Sequence, residues 1–259
     1  MGNLFAELQM LSRKNHVSEV EEARKKLNDI VSYFKRRPDY LELVTLFADK
    51  VRNLEVSTLL GADSFMVQDV LSTDIPQELR HDSYGFCRGS TVIFDGRYVY
   101  PVKDVHGDVM GFCGYDMFSD TKYLDSKNYG YVAKRYSVWG MESMQEYYTS
   151  TEPVFFVEGI VCALYLRQCG LQSLALLGSM PSRYVVEIIR RFGMRAVVVI
   201  DSDDAGLQCR KYLKRVIPNL RVLQSSVAKD IDDSRKVEPS FAEELRKLSN
   251  PFYRSPLFY

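Results

Sequence analysis

VVVIDSDDAGLQCRKYL, residues 197–213, runs an apolar stretch straight into three aspartates and then a glycine. Asp201, Asp203 and Asp204 stand where a buried strand should end, although like charges a few Å apart repel by about 3 kcal/mol per pair at a surface-like dielectric. Either the carboxylates splay into water and cap the next helix, or a cation lies between them. The neighbouring sequence decides what kind of fold presents them.

The same texture recurs on both sides. VFFV (154–157), SLALL (173–177), AVVVI (196–200) and RVLQ (221–224) are short apolar runs. Helical patterns over 160–168, 182–192 and 205–216 separate them. Val185, Ile188, Ile189 and Phe192 form one stripe, and Ala205, Cys209, Leu213 and Val216 another. Gly170 and Gly193 fall just past helix ends, as C-terminal caps should. Strictly alternating strands and helices predict a parallel sheet with right-handed crossovers and helices on both faces, an α/β fold.

In such a sheet, ligands bind beyond the carboxyl ends of the strands. Glu158 directly follows VFFV, Asp201 directly follows AVVVI, Asp203 is two residues on, and Asp230 and Asp232 lie in the loop after RVLQ. Acids converging on one edge should raise one another's pKa values unless a cation compensates, and hard oxygen ligands suit Mg²⁺. Asp204 reads instead as the cap of the helix that starts at Ala205.

The N-terminal third is helical by pattern, with helices expected over 17–34, 40–51 and 64–71. Ser18 with Glu21 forms a capping box, and Pro38 follows the first helix. Between 84 and 114 the texture changes to β-rich runs punctuated by Asp95-Gly96 and His106-Gly107, which predicts an antiparallel meander. A short helix over 142–148 leads into the alternating part. The expected organisation is a helical region at 1–80, an α+β subdomain at 81–150, the parallel-sheet domain at 151–235 and a tail at 236–259.

Composition bounds the function classes. The 259 residues are 46% hydrophobic and 26% charged, which leaves no room for a long disordered or collagen-like chain. Lys plus Arg equals Asp plus Glu at 34 each, so any nucleic-acid site must be a local patch. Cys87, Cys113, Cys162, Cys169 and Cys209 have neither zinc-ribbon nor disulfide spacing and read as buried thiols. No apolar run reaches membrane-spanning length and no signal-peptide pattern opens the chain, so a cytoplasmic location is expected.

FFVEGIVCALYLRQCG, LALLGSMPS, VVVIDSDDAG and KDIDD resemble the successive motifs of the Toprim fold, shared by bacterial DnaG-type primases, type IA and II topoisomerases and some nucleases. The preceding YVYPVKDVHGDVMGFCGYDM and TKYLDSKNYGYVAKRYSVWG resemble the segment just before Toprim in DnaG-type primases. The combined likeness covers about residues 98–233. It implies a DNA-dependent RNA primase core in which Glu158, Asp201 and Asp203 are catalytic and, with Asp230 and Asp232, hold Mg²⁺ or Mn²⁺. Lys122 and Lys134 match basic residues that face template and nucleotide phosphates. Where the family has an arginine this chain has Tyr115, so that cation is missing or supplied by Arg135 or Lys103. The implied partners are single-stranded DNA, ribonucleoside triphosphates and a replicative helicase, with no zinc and no membrane. A core this compact resembles those of phages or plasmids. A Toprim nuclease and a non-catalytic replication accessory protein are the alternatives.

Overall fold

The computed structural model describes residues 17–49, 54–68, 70, 71, 73–116, 118, 119, 121, 123–126, 137–248, 250 and 252–258. The chain divides into two units, Met1–Lys134 and Arg135–Tyr259. The first contains helices α1 (Val17–Lys35), α2 (Tyr40–Phe47) and α3 (Val56–Gly61) and strands β1 (Phe65–Val67), β2 (Cys87–Arg88), β3 (Thr91–Val92), β4 (Arg97–Lys103), β5 (Val109–Tyr115) and β6 (Tyr123–Asp125). Four of these strands make an antiparallel sheet in the order β1-β4-β5-β6. The β4–β5 turn is closed by Asp104, whose Oδ1 accepts the N–H groups of His106 and Asp108 at 2.8 and 3.1 Å. Leu27, Ile30, Val31 and Phe34 give α1 its buried stripe, which joins Phe65, Phe86, Phe94 and Phe112 in an aromatic core. Phe34 stacks on Phe65 with ring centroids 4.5 Å apart.

Two expectations change here. Residues 64–71 are not a helix, because Phe65–Val67 is a strand paired with Arg97–Val99. Phe65 and Val67 are buried with Met66 between them partly exposed, so burial follows period 2, and pairing on the open edge of β4 outweighs a short helical pattern. The second helix stops at Phe47. The Ser18 side chain of the expected capping box lies outside the described side chains.

The second unit contains α4 (Met144–Thr149), β7 (Val154–Val157), α5 (Ile160–Gln168), β8 (Gln172–Ala175), α6 (Arg183–Phe192), β9 (Ala196–Ile200), α7 (Asp204–Val216), β10 (Arg221–Gln224), α8 (Ile231–Val237) and α9 (Phe241–Lys247). Its sheet is parallel, in the order β10-β9-β7-β8. From β7 the chain steps outward to β8, then returns across β7 to β9 and on to β10. With right-handed crossovers, the reversal puts α5 on one face and α6 and α7 on the other. Every residue of β7 and β9 is buried, as a sheet covered on both faces requires.

The tail folds back onto its own unit. Ser225 bridges Phe258, the Ser226 N–H donates to the Leu257 carbonyl at 2.9 Å, and the hydroxyls of Tyr253 and Ser255 donate to Glu244. All five cysteines are buried thiols outside any disulfide. Among the described residues no helix is long and apolar enough to cross a membrane.

Candidate active site

The reversal of strand order lies between β7 and β9, the position at which an open α/β sheet leaves a crevice at its carboxyl edge. Val157 and Val199 are register partners, so the residues that end these strands emerge side by side. Glu158 and Asp201 are those residues. The Asp201 N–H donates to Glu158 Oε1 at 3.3 Å, fixing one carboxylate against the backbone of the other residue.

Loops after β9 and β10 are sewn together around this pair. Gln224 donates Nε2–H to the Asp201 carbonyl at 3.3 Å, Ser202 donates its hydroxyl to the Ser225 carbonyl at 2.8 Å, and the Ser202 N–H donates to the Lys229 carbonyl at 2.6 Å. The next acid is Asp203, not Asp204, at the cap of α7: Asp203 Oδ1 accepts the Gly206 N–H at 2.9 Å, and Asp204 is the first helical residue. The short side chain three residues past the strand reaches the helix N–H, while Asp204 already has helical geometry. Gly206 is fixed by the same close turn, since a Cβ there would lie 2.1 Å from the Asp201 carbonyl oxygen. Asp230 caps α8 in the same way, accepting the Asp233 N–H at 2.8 Å.

Electrostatics separate these acids. Burial, then the negative charges of Glu158 and Asp230, push the Asp201 carboxyl up to about 7 against the pull of Lys229. Burial also raises Glu158 and Asp230. Asp203 goes the other way, because the Gly206 N–H and the ammonium of Lys229, 3.1 Å from Oδ2, favour its charged form. Mutual elevation, expected of the whole set, therefore fails at Asp203, where a helix end and a cation compensate.

Asp232 lies close enough for its charge to raise Asp230, but both of its oxygens are taken by cations of its own helix. It is buried in α8, with Oδ1 bound by Arg235 at 2.8 Å and Oδ2 by Lys236 at 3.0 Å. Lys122, Lys134 and Arg135 lie outside the described residues. Tyr115 is buried, its ring edge-on to Phe47. Lys103 is held by Asp63 at 2.5 Å. Lys229 was missed by sequence reasoning although it opens the KDIDD motif; a lysine beside two aspartates is a local cue to a counter-ion.

Among the described residues no three His, Cys, Asp or Glu side chains form a ready-made metal cluster. The donor set nevertheless fits a hard cation. Glu158, Asp201 and Asp230 offer carboxylate oxygens that burial first, and neighbouring carboxylates second, hold above their ordinary pKa values, so a cation there would favour their charged forms. Mg²⁺ binds through one or two carboxylates and keeps several waters.

Known proteins carry the comparison further. No protein-family model matches the sequence. The DNA primase of Borreliella burgdorferi is 25% identical over 255 residues, covering 92% of this chain and 48% of that protein. The DNA primase of Aquifex aeolicus is 29% identical over 166 residues, covering 61% of this chain and 33% of that protein. This chain thus spans about half or less of the curated relatives it matches. A solved DnaG primase catalytic domain bound to single-stranded DNA superposes with a TM-score of 0.72 at 18% identity, covering 90% of this chain and 83% of that one. The chain has the fold of the DnaG catalytic core. Within that core fold, Glu158 and Asp201 occupy the switch point of the parallel sheet, and the antiparallel sheet of the first unit precedes it in sequence.

Proposed function

We propose that this chain is the catalytic core of a DNA-dependent RNA primase, a nucleotidyltransferase that joins ribonucleotides into short primers on single-stranded DNA during replication. The observation that carries the reading is the meeting of Glu158 and Asp201 at the switch point of a parallel sheet, in a chain with the DnaG core fold and DNA primases among its relatives. The Toprim reading of residues 151–235 belongs to the same proposal.

Glu158, Asp201, Asp203 and Asp230 are the residues that would hold Mg²⁺ or Mn²⁺. Bound there, a divalent cation neutralises triphosphate charge and lowers the pKa of the attacking 3′ hydroxyl. The chain's own groups position and accept. The Asp201 N–H holds Glu158 Oε1 in place, and burial raises the basicity of this carboxylate, which suits it either to ligate or to take the proton of the 3′ hydroxyl. Asp203 is pinned by the first turn of α7 and keeps its charge. Asp232 pairs with Arg235 and Lys236 within α8 and supports the turn that carries Asp230. Lys122, Lys134 and Arg135 are assigned to template and nucleotide phosphates, and a replicative helicase is the expected partner.

Purified chain given single-stranded DNA, labelled ribonucleoside triphosphates and Mg²⁺ or Mn²⁺ should yield short oligoribonucleotides. Glu158→Gln should abolish that product while leaving the chain folded by circular dichroism. Metal-dependent cleavage without synthesis would replace the primase with a nuclease; neither product, with helicase and several templates supplied, would leave an accessory protein.

A further inference from the structure

Asp203 presents two oxygens, and both are occupied. Oδ1 is held by the Gly206 N–H at 2.9 Å, and Oδ2 by Lys229 Nζ at 3.1 Å. A cation approaching Oδ2 must therefore displace an ammonium that is already there. The Lys229 side chain is 58% exposed and that of Asp203 38%, so the pair sits largely in water, where an ion pair is weak. Its backbone is different, because the Lys229 carbonyl accepts the Ser202 N–H at 2.6 Å and ties the loop to the segment between Asp201 and Asp203. The arrangement is an anchored backbone carrying an exposed charge. The nearby acids Asp201 and Asp230 also feel that charge.

We infer that Lys229 is a displaceable counter-ion, which competes with a lone divalent cation for Asp203 and moves to the phosphates of a nucleotide when metal and triphosphate arrive together. The inference rests on the metal-dependent nucleotidyl transfer proposed above. Without nucleotide, a divalent cation gains Asp203 only by expelling Lys229 into water. With a triphosphate present, the expelled ammonium meets phosphate oxygens at the same edge, as a lysine does when it serves as a point charge for phosphate. Metal and nucleotide then favour each other's binding, and reciprocity requires the coupling to appear in both affinities.

The test is Mn²⁺ binding to the full chain, read as free Mn²⁺ by electron paramagnetic resonance, with and without a non-hydrolysable ribonucleoside triphosphate. Exposed ion pairs are weak, so Lys229→Gln should tighten Mn²⁺ binding in the absence of nucleotide by about threefold to fivefold. It should also shrink the gain that the triphosphate adds, and Lys229→Arg should restore wild-type behaviour. Lys229→Met replaces Lys229→Gln if the latter is unfolded by circular dichroism. An unchanged or weakened Mn²⁺ affinity in the folded variant overturns the inference. Asp201→Asn with Asp203→Asn separates the two levels. If this double variant abolishes Mn²⁺ binding while Lys229→Gln leaves it unchanged, only the role of Lys229 falls; if the double variant binds as wild type, the metal site itself falls.

Discussion

Asp63 and Asp201 are both partly buried aspartates just past the end of a regular element, and their environments drive them in opposite directions. Burial alone would raise Asp63, but hydrogen bonds from Lys103 and Lys35 outweigh it and lower its pKa. Burial raises Asp201 too, and there Glu158 and Asp230 add to the effect, carrying it to about 7. One acid has found its cations within the fold. The other is surrounded by more acids, at the position where a parallel sheet opens a crevice. Elevated acids left uncompensated mark functional sites more often than paired ones do.

The largest expected effect separates the two aspartates by function. Asp201→Asn should reduce primer synthesis by about a thousandfold, since a lost metal ligand removes several kcal/mol of transition-state stabilisation. Its metal-free melting temperature should rise as repulsion at the edge is relieved. Asp63→Asn should leave synthesis within about twofold and lower the melting temperature by several degrees, because Lys103 is left mostly buried without its partner. If Asp63→Asn instead stops synthesis, the contrast between a structural and a functional acid breaks.

The pH dependence sharpens the contrast by sign. Folding raises the Asp201 pKa from 3.8 to about 7, so the folded state binds more protons than the unfolded chain between those values. Metal-free stability should therefore fall, on the order of a few kcal/mol, as pH rises from about 4 to 7. Asp201→Asn should flatten that slope. Asp63 acts oppositely: its folded pKa lies below 3.8, so its contribution is present above that value and is lost as pH falls further. Urea titrations of both variants across this range would reveal either slope.

Metal should reverse the Asp201 effect. With a site of about 1 mM affinity, 10 mM Mg²⁺ adds about 1.4 kcal/mol, and Asp201→Asn with Asp203→Asn should lose the shift in a thermal melt. The smallest effects are expected at Lys122 and Lys134. Alanine at each should reduce synthesis several-fold and lessen the salt dependence of DNA binding by about one ion; an unchanged salt slope would remove that lysine from the phosphate path.

Much of the second unit was legible because its signals are local. VFFV, AVVVI and RVLQ are uninterrupted apolar runs with helical stripes between them, and each became the expected strand. Glu158 and Asp201 could be placed at one edge from their positions alone. Strand order could not, because whether β8 or β9 flanks β7 depends on packing of distant helices, and the switch point depends on that order. Residues 64–71 misled because Phe65 and Val67 suit a helix or a strand equally until β4 is present to pair with them. The exchange of caps between Asp203 and Asp204 turned on one residue of backbone geometry. Asp232 looked like its neighbour Asp230 in KDIDD, yet the helical turn that follows points it at Arg235 and Lys236.

The central place of β7 has a kinetic consequence. β7 pairs with β8 across a short crossover and with β9 across a longer one, so loop closure favours the β7–β8 half as the earlier event. Glu158 meets Asp201 only when β9 docks. Their repulsion then belongs to the last stage of assembly, and interactions absent from the folding transition state alter escape from the native state more than arrival at it. A divalent cation at this edge would act as a clasp fastened after the garment is closed, lengthening the lifetime of the folded unit while leaving its refolding rate nearly untouched.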